Sequence, residues 1–195
     1  YFTSILAINE AGKVTGTYDK WRLVPGGEFL PFEGLLSRIG FRKVVSLPES
    51  FTAGKGPSNV QLPGIGPAGA LICYEVIFPD ALVAQVRPRL LVNVTNDGWF
   101  GLSTGPHQHL AQARLRSIEQ GLPLFRAANT GISAVIDPLG RILAQTQLNT
   151  RTTIDSRVPQ SLDATFYARN GGLMLALLIA AAGFLLRGMM ITRAA

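Results

Sequence analysis

The chain of 195 residues has one cysteine, two histidines and few charges, and each scarcity removes options. A lone thiol excludes an internal disulfide and any cysteine-rich zinc cluster, yet leaves room for a nucleophile. Charged residues make up 15% of the chain, against about 25% in an average soluble protein, beside an ordinary hydrophobic share of 47%. That balance argues against disorder and against a coiled coil. Basic residues outnumber acidic ones, 18 to 12, but form no long run, so no nucleic-acid patch is read. There is no internal repeat, and the length suits one core.

An initiating methionine is also missing. Tyr1 to Ile8 has the β-branched and aromatic character of a strand, Asn9 to Gly12 supplies turn chemistry, and Lys13 to Tyr18 returns as a second strand. The chain therefore reads as starting inside a fold, as a piece of a longer protein. Charge disappears altogether from Asn170 to Leu186, 17 residues. The apolar stretch Gly171 to Ile191 would be roughly 31 Å long as a helix, enough for a bilayer core of about 30 Å, with Arg187 able to snorkel. A transmembrane helix is expected over 170–195, short tail included. Arg157 and Arg169 before it and Arg187 and Arg193 after it leave its orientation undecided by charge.

Between these ends the pattern is α/β. Pro67 to Cys73 and Leu90 to Thr95 read as buried strands, and Gly105 to Gln120 reads as a helix. Asp137-Pro-Leu-Gly140 reads as a type I turn between Ile132–Ile136 and Arg141–Ala144. Arg151 to Val158 is expected to add a strand, and Pro48 to Gly66, rich in glycine, proline and serine, to form a surface loop.

Cys73 stands at a strand end, where a sharp turn can lift a nucleophile out of a sheet. Alone, such a cysteine reads as a buried structural residue; its neighbours change the balance. Tyr18-Asp-Lys20, Leu23-Val-Pro25 and Gly27-Glu-Phe29 form a site-like loop, Ile72-Cys-Tyr-Glu75 surrounds the thiol, and Asn96-Asp-Gly-Trp-Phe-Gly101 leaves a strand with an aromatic pair. Gln108-His109, Arg114, Arg116, Glu119 and Asn129 to Ser133 follow in order. His107 and His109 are read as capping and packing residues, with no metal site.

Taken together these segments resemble the carbon-nitrogen hydrolase, or nitrilase, superfamily, nearest to its membrane acyltransferase branch, over nearly all of residues 1–170. The resemblance implies an α-β-β-α sandwich, incomplete at its start, over residues 1–169. It implies Cys73 as nucleophile, Lys20 beside it, Glu28 orienting Lys20, Tyr74 giving its backbone N–H to an oxyanion, and Glu75 near the site. Trp99 and Phe100 would line an acyl pocket. The family's general-base glutamate lies upstream of the lysine motif and has no counterpart here, since Glu10 falls in the hairpin turn; the fragment alone is expected to be inactive. Gly26 departs from the aromatic residue expected there. The chemistry implied moves a fatty acyl group from a membrane phospholipid, through a cysteine thioester, to the N-terminal amine of a diacylglyceryl-modified lipoprotein, without a cofactor. The implied location is the bacterial inner membrane, with the catalytic domain periplasmic. An amidase acting on a small amide, and a truncated domain without catalysis, stay open as alternatives.

Overall fold

A computed structural model describes residues 1–36, 38, 40, 50–82 and 86–194. The opening hairpin is β1 (Ser4–Ile8) and β2 (Val14–Asp19), antiparallel. Its turn is closed by Asn9, whose Oδ1 accepts the N–H groups of Ala11 and Lys13 at 3.1 and 2.9 Å. A single helical turn, α1 (Glu33–Leu36), follows.

A six-stranded sheet runs in sequence order through β3 (Asn59–Leu62), β4 (Gly66–Ile72), β5 (Leu90–Asn96), β6 (Leu124–Asn129), β7 (Ala134–Ile136) and β8 (Ile142–Gln145). The central pairs β4–β5 and β5–β6 are parallel and the flanking pairs antiparallel. Helix α2 (Gly105–Gln120) makes the crossover into β6; Pro106 opens it and Gly121, at φ 63°, ends it in a left-handed cap.

Alternation along the strands separates two apolar layers. Ala70 and Ile72 of β4 meet Ala7, Tyr18 and Val60, packing the hairpin onto one face of the sheet. Leu71, Leu91, Leu124 and Ile136 point to the other face, against Leu110 and Ala113 of α2. Each such leucine, fully buried, contributes about 1.5–3 kcal/mol. The described layers are thus hairpin, sheet and helix; on the hairpin's outer face Leu6, Ile8 and Val14 are exposed.

Four expectations need correction. The presumed loop Pro48–Gly66 contains β3, whose alternation is only Val60 and Leu62, too short to stand out among its prolines and glycines; Pro48 and Glu49 lie outside the described residues. Strand β6 was not anticipated, because Arg126 sits in its middle. Arg151–Val158 forms no strand: it runs mostly exposed and finds no ladder partner. Finally, the C-terminal helix α3 (Phe166–Ala194) begins before the apolar stretch and is not straight. Its parts Phe166–Leu173 and Leu175–Phe184 meet at 44°, just after the Gly171-Gly172 pair. Among the described residues no single helix is long and apolar enough to cross a membrane; the two parts of this bent helix reach that length and composition only when taken together.

Candidate active site

The end of β4 delivers Cys73 into a backbone conformation that side chains normally avoid, at φ 49°, and a 3₁₀ turn, Cys73–Ile77, begins there. Such left-handed geometry costs about 1–2 kcal/mol. Glu75 holds the turn closed: its Oε2 accepts the Ile72 N–H at 2.8 Å. The same carboxylate reaches across to the end of β2, accepting from Tyr18 Oη at 2.9 Å, the Trp21 N–H at 2.9 Å and the Arg22 N–H at 3.2 Å. Glu75 is completely buried, so four donors replace the water it has lost. Burial, and then the charge of Glu75, push the Tyr18 hydroxyl well above its ordinary range.

This clamp ties the loop carrying Lys20 to the turn carrying Cys73, and Trp21 and Cys73 pack against the same apolar cluster. Lys20 is buried, and its Nζ donates to both oxygens of Glu28, at 2.8 and 2.7 Å. Glu28 is fixed in turn by the Val24 N–H at 2.8 Å. Gly26, between them, has φ 76°, with open space where a side chain would stand. The expected aromatic residue would be free of clashes there but strained in its backbone.

Beside the turn lies a cleft of about 480 Å³, walled by Trp21, Leu23, Phe29, Phe51, Tyr74 and Phe78. The Arg22 guanidinium is stacked between Trp21 and Phe78, 4.4 Å from each ring centre, and pairs with Asp80. Tyr74 meets Phe78 edge-on at 4.9 Å. Trp99 and Phe100 are not part of this wall; both are exposed, and Phe100 lies edge-on to the His109 ring.

Behind Cys73, between the sheet and α2, lies a polar cluster that motif reading missed as a unit. Asp97 Oδ1 faces His109 Nδ1 at 2.8 Å and accepts from Thr95 Oγ1 at 3.0 Å, while Asp97 Oδ2 accepts from Arg126 Nη2 at 2.6 Å. Arg126 also donates to Asn93 Oδ1 and to the Ile132 carbonyl. His109 Nε2 faces the Cys73 carbonyl at 3.2 Å. Burial opposes the charge on Asp97, but the His109 hydrogen bond and the Arg126 charge outweigh it and hold the carboxyl below its usual range. His109 is thus engaged in specific hydrogen bonds from inside the helix rather than capping it; His107 is exposed. The available signal was in the periodicity, since 91, 93 and 95 share the α2-facing side of β5 with the apolar Leu91.

The sequence pattern of the carbon-nitrogen hydrolases matches residues 1–166. The chain belongs to that family. Among curated carbon-nitrogen hydrolase relatives, the apolipoprotein N-acyltransferase of Rhodopseudomonas palustris is 51% identical over 180 residues, covering 92% of this chain and 34% of that protein. That of Brucella melitensis is 42% identical over 193 residues, covering 95% and 36%. The chain spans about a third of the length of these relatives. A carbon-nitrogen hydrolase of Helicobacter pylori G27 superposes with a TM-score of 0.56 at 19% identity, over 77% of this chain and 55% of that one. At that identity the likeness concerns the fold, and it agrees with a nitrilase-like α/β architecture. Within this carbon-nitrogen hydrolase chain, the structure joins Lys20 to Glu28, clamps their loop to the Cys73 turn through Glu75, and sets Tyr74 on the cleft wall.

Proposed function

We propose that this chain carries the nucleophile-bearing part of a lipoprotein N-acyltransferase. The observation that supports it best is the strained Cys73 turn, tied by one buried carboxylate to the Lys20–Glu28 pair beside an apolar cleft. The names of the relatives choose acyl transfer among the reactions such a site could run.

In the first half-reaction the Cys73 thiolate attacks the ester carbonyl of a membrane phospholipid. The oxyanion formed is met by the Tyr74 N–H and the Lys20 ammonium, the C–O bond breaks, and the lysophospholipid alkoxide takes up the proton that the Cys73 thiol released on becoming a thiolate. In the second, the N-terminal amine of a diacylglyceryl-modified lipoprotein attacks the thioester; an amide forms, the C–S bond breaks, and the amine's surplus proton returns to the departing Cys73 sulfur. Glu28 keeps Lys20 oriented, and Glu75 positions both segments without touching substrate. Trp99 and Phe100, both exposed, offer apolar area to an acyl chain outside the cleft.

Residues 1–169 form the catalytic portion in this reading, and 170–195 the membrane segment, crossing as a bent helix in a bacterial inner membrane with the domain on the periplasmic side. Lipid-borne substrates give that segment its purpose. The test uses the protein carrying this sequence, reconstituted in phospholipid vesicles. Mass spectrometry is expected to find an acyl adduct on Cys73 that hydroxylamine removes and that Cys73→Ala lacks. No adduct overturns the proposal, and release of the acyl group to water in preference to a lipopeptide amine points to the amidase.

A further inference from the structure

The Asp97–His109 pair has no task in the mechanism above, yet it ends on the one peptide group that the mechanism depends on. The carbonyl of Cys73 and the N–H of Tyr74 belong to the same peptide unit, which is planar and trans, so the direction of one dictates the opposite direction of the other. His109 Nε2 lies 3.2 Å from that carbonyl. We infer that His109 is a positioning residue: by donating to the Cys73 carbonyl it aims the Tyr74 N–H at the oxyanion. The inference rests on the reading of Cys73 as an acylated nucleophile.

Three observations carry it. The backbone at Cys73 is held at φ 49°, and strained backbone persists only where surrounding contacts over-determine it. On one side of that residue Glu75 fixes the Ile72 N–H; on the other, His109 meets the carbonyl. Second, the partner of Nε2 is a carbonyl, which only accepts, so Nε2 is the nitrogen called on to donate, while Nδ1 lies 2.8 Å from Asp97 Oδ1 and 3.1 Å from Arg126 Nη2. Third, the support behind the ring has little slack. Asp97 and Arg126 have no exposed side-chain surface, Thr95 adds a third hold on Asp97, and a Cβ at position 131 would come within 2.3 Å of Asp97 Oδ2. Arg126 Nη2 bonds Asp97 Oδ2 and also lies within hydrogen-bond distance of His109 Nδ1, so guanidinium, carboxylate and ring brace one another. A residue needed only to pack α2 on the sheet would not require a donor aimed at this carbonyl.

Amide replacements separate the two ring nitrogens. In His109→Gln the amide reaches toward the Nε2 position and can donate to the Cys73 carbonyl; in His109→Asn it stays near Nδ1, keeps Asp97 and leaves the carbonyl without its donor. Acylation is read from the burst of nitrophenol when vesicle-reconstituted protein meets p-nitrophenyl butyrate, and the thiol alone from alkylation by iodoacetamide, which forms no oxyanion. His109→Asn is expected to lower the burst rate about 100-fold, the effect of losing one oxyanion donor, with KM unchanged and alkylation within about threefold. His109→Gln is expected to stay within about tenfold of the unsubstituted protein. Thr95→Val, nearly isosteric, loosens Asp97 without emptying the site and is expected to slow the burst about threefold at unchanged alkylation. Equal losses in Asn and Gln, alkylation falling in step with the burst, or a burst unaffected by Thr95→Val would each overturn the inference. A normal burst with no acyl adduct from phospholipid overturns the proposed function and leaves this inference standing; no burst in the unsubstituted protein overturns both.

Discussion

The domain and its terminal helix distribute polarity in opposite ways. In the domain Lys20, Glu75, Asp97, His109, Arg116 and Arg126 are all buried. Along α3 it is Leu173, Leu175, Leu177, Leu178, Ile179 and Phe184 that face outward, each more than half exposed. Part of a low total of charge is therefore placed where water is excluded, while apolar area is displayed along the helix. Buried charge is costly unless it is paired and hydrogen-bonded, so the domain's interior is specified by hydrogen bonds as well as by volume. The helix has no such requirement, because its backbone is satisfied internally and its apolar side chains bring no polar atom to pair.

Substitutions sharpen this contrast, beginning with the largest effect. Lys20→Met removes the cation that faces Glu28, and acyl-enzyme formation in vesicles is expected to fall about 10³-fold, measured by the hydroxylamine-sensitive adduct. Glu75→Ala strands four donors at once, and urea unfolding is expected to show a loss of about 3–5 kcal/mol. Asp97, whose carboxyl is held below its usual range, stabilises the fold fully above its unfolded value near pH 4. That contribution is lost as pH falls through the lowered folded value. The drop in urea midpoint between pH 6 and pH 3 is therefore expected to shrink in Asp97→Asn, and an unchanged drop would show that Asp97 does not carry it. Leu178→Lys, on the exposed helix, is expected to change the domain's urea stability by less than about 0.5 kcal/mol. The same substitution should weaken retention in vesicles by about 2.5–3.5 kcal/mol, measured by flotation. If the lysine destabilised the domain instead, the contrast between the two regions would be wrong.

Much of this contrast could be read from the sequence because its signals are local. The opening hairpin, the bounds of α2, the Asp137–Gly140 turn and the Lys20, Glu28 and Cys73 segments each lie within a few adjacent residues. The Asp97–His109–Arg126 cluster could not be read this way, since its members come from β6, α2 and the turn after β5, 12 and 29 positions apart in sequence. A charged residue inside a strand also counts against that strand, which is why Arg126 concealed β6 while serving as its buried partner. Arg151–Val158 failed for the converse reason: alternation needs a neighbour to hydrogen-bond, and composition does not reveal whether one exists.

The reach of Glu75 also bears on when the site comes into being. Its donors on Tyr18, Trp21 and Arg22 are 53 to 57 positions away. Closing loops of that length has an entropic cost that only a formed sheet offsets. Until the hairpin docks on β3 and β4, Cys73 sits on an unbraced turn. On the proposed function, reactivity is thereby withheld from the nascent polypeptide and belongs to the finished fold.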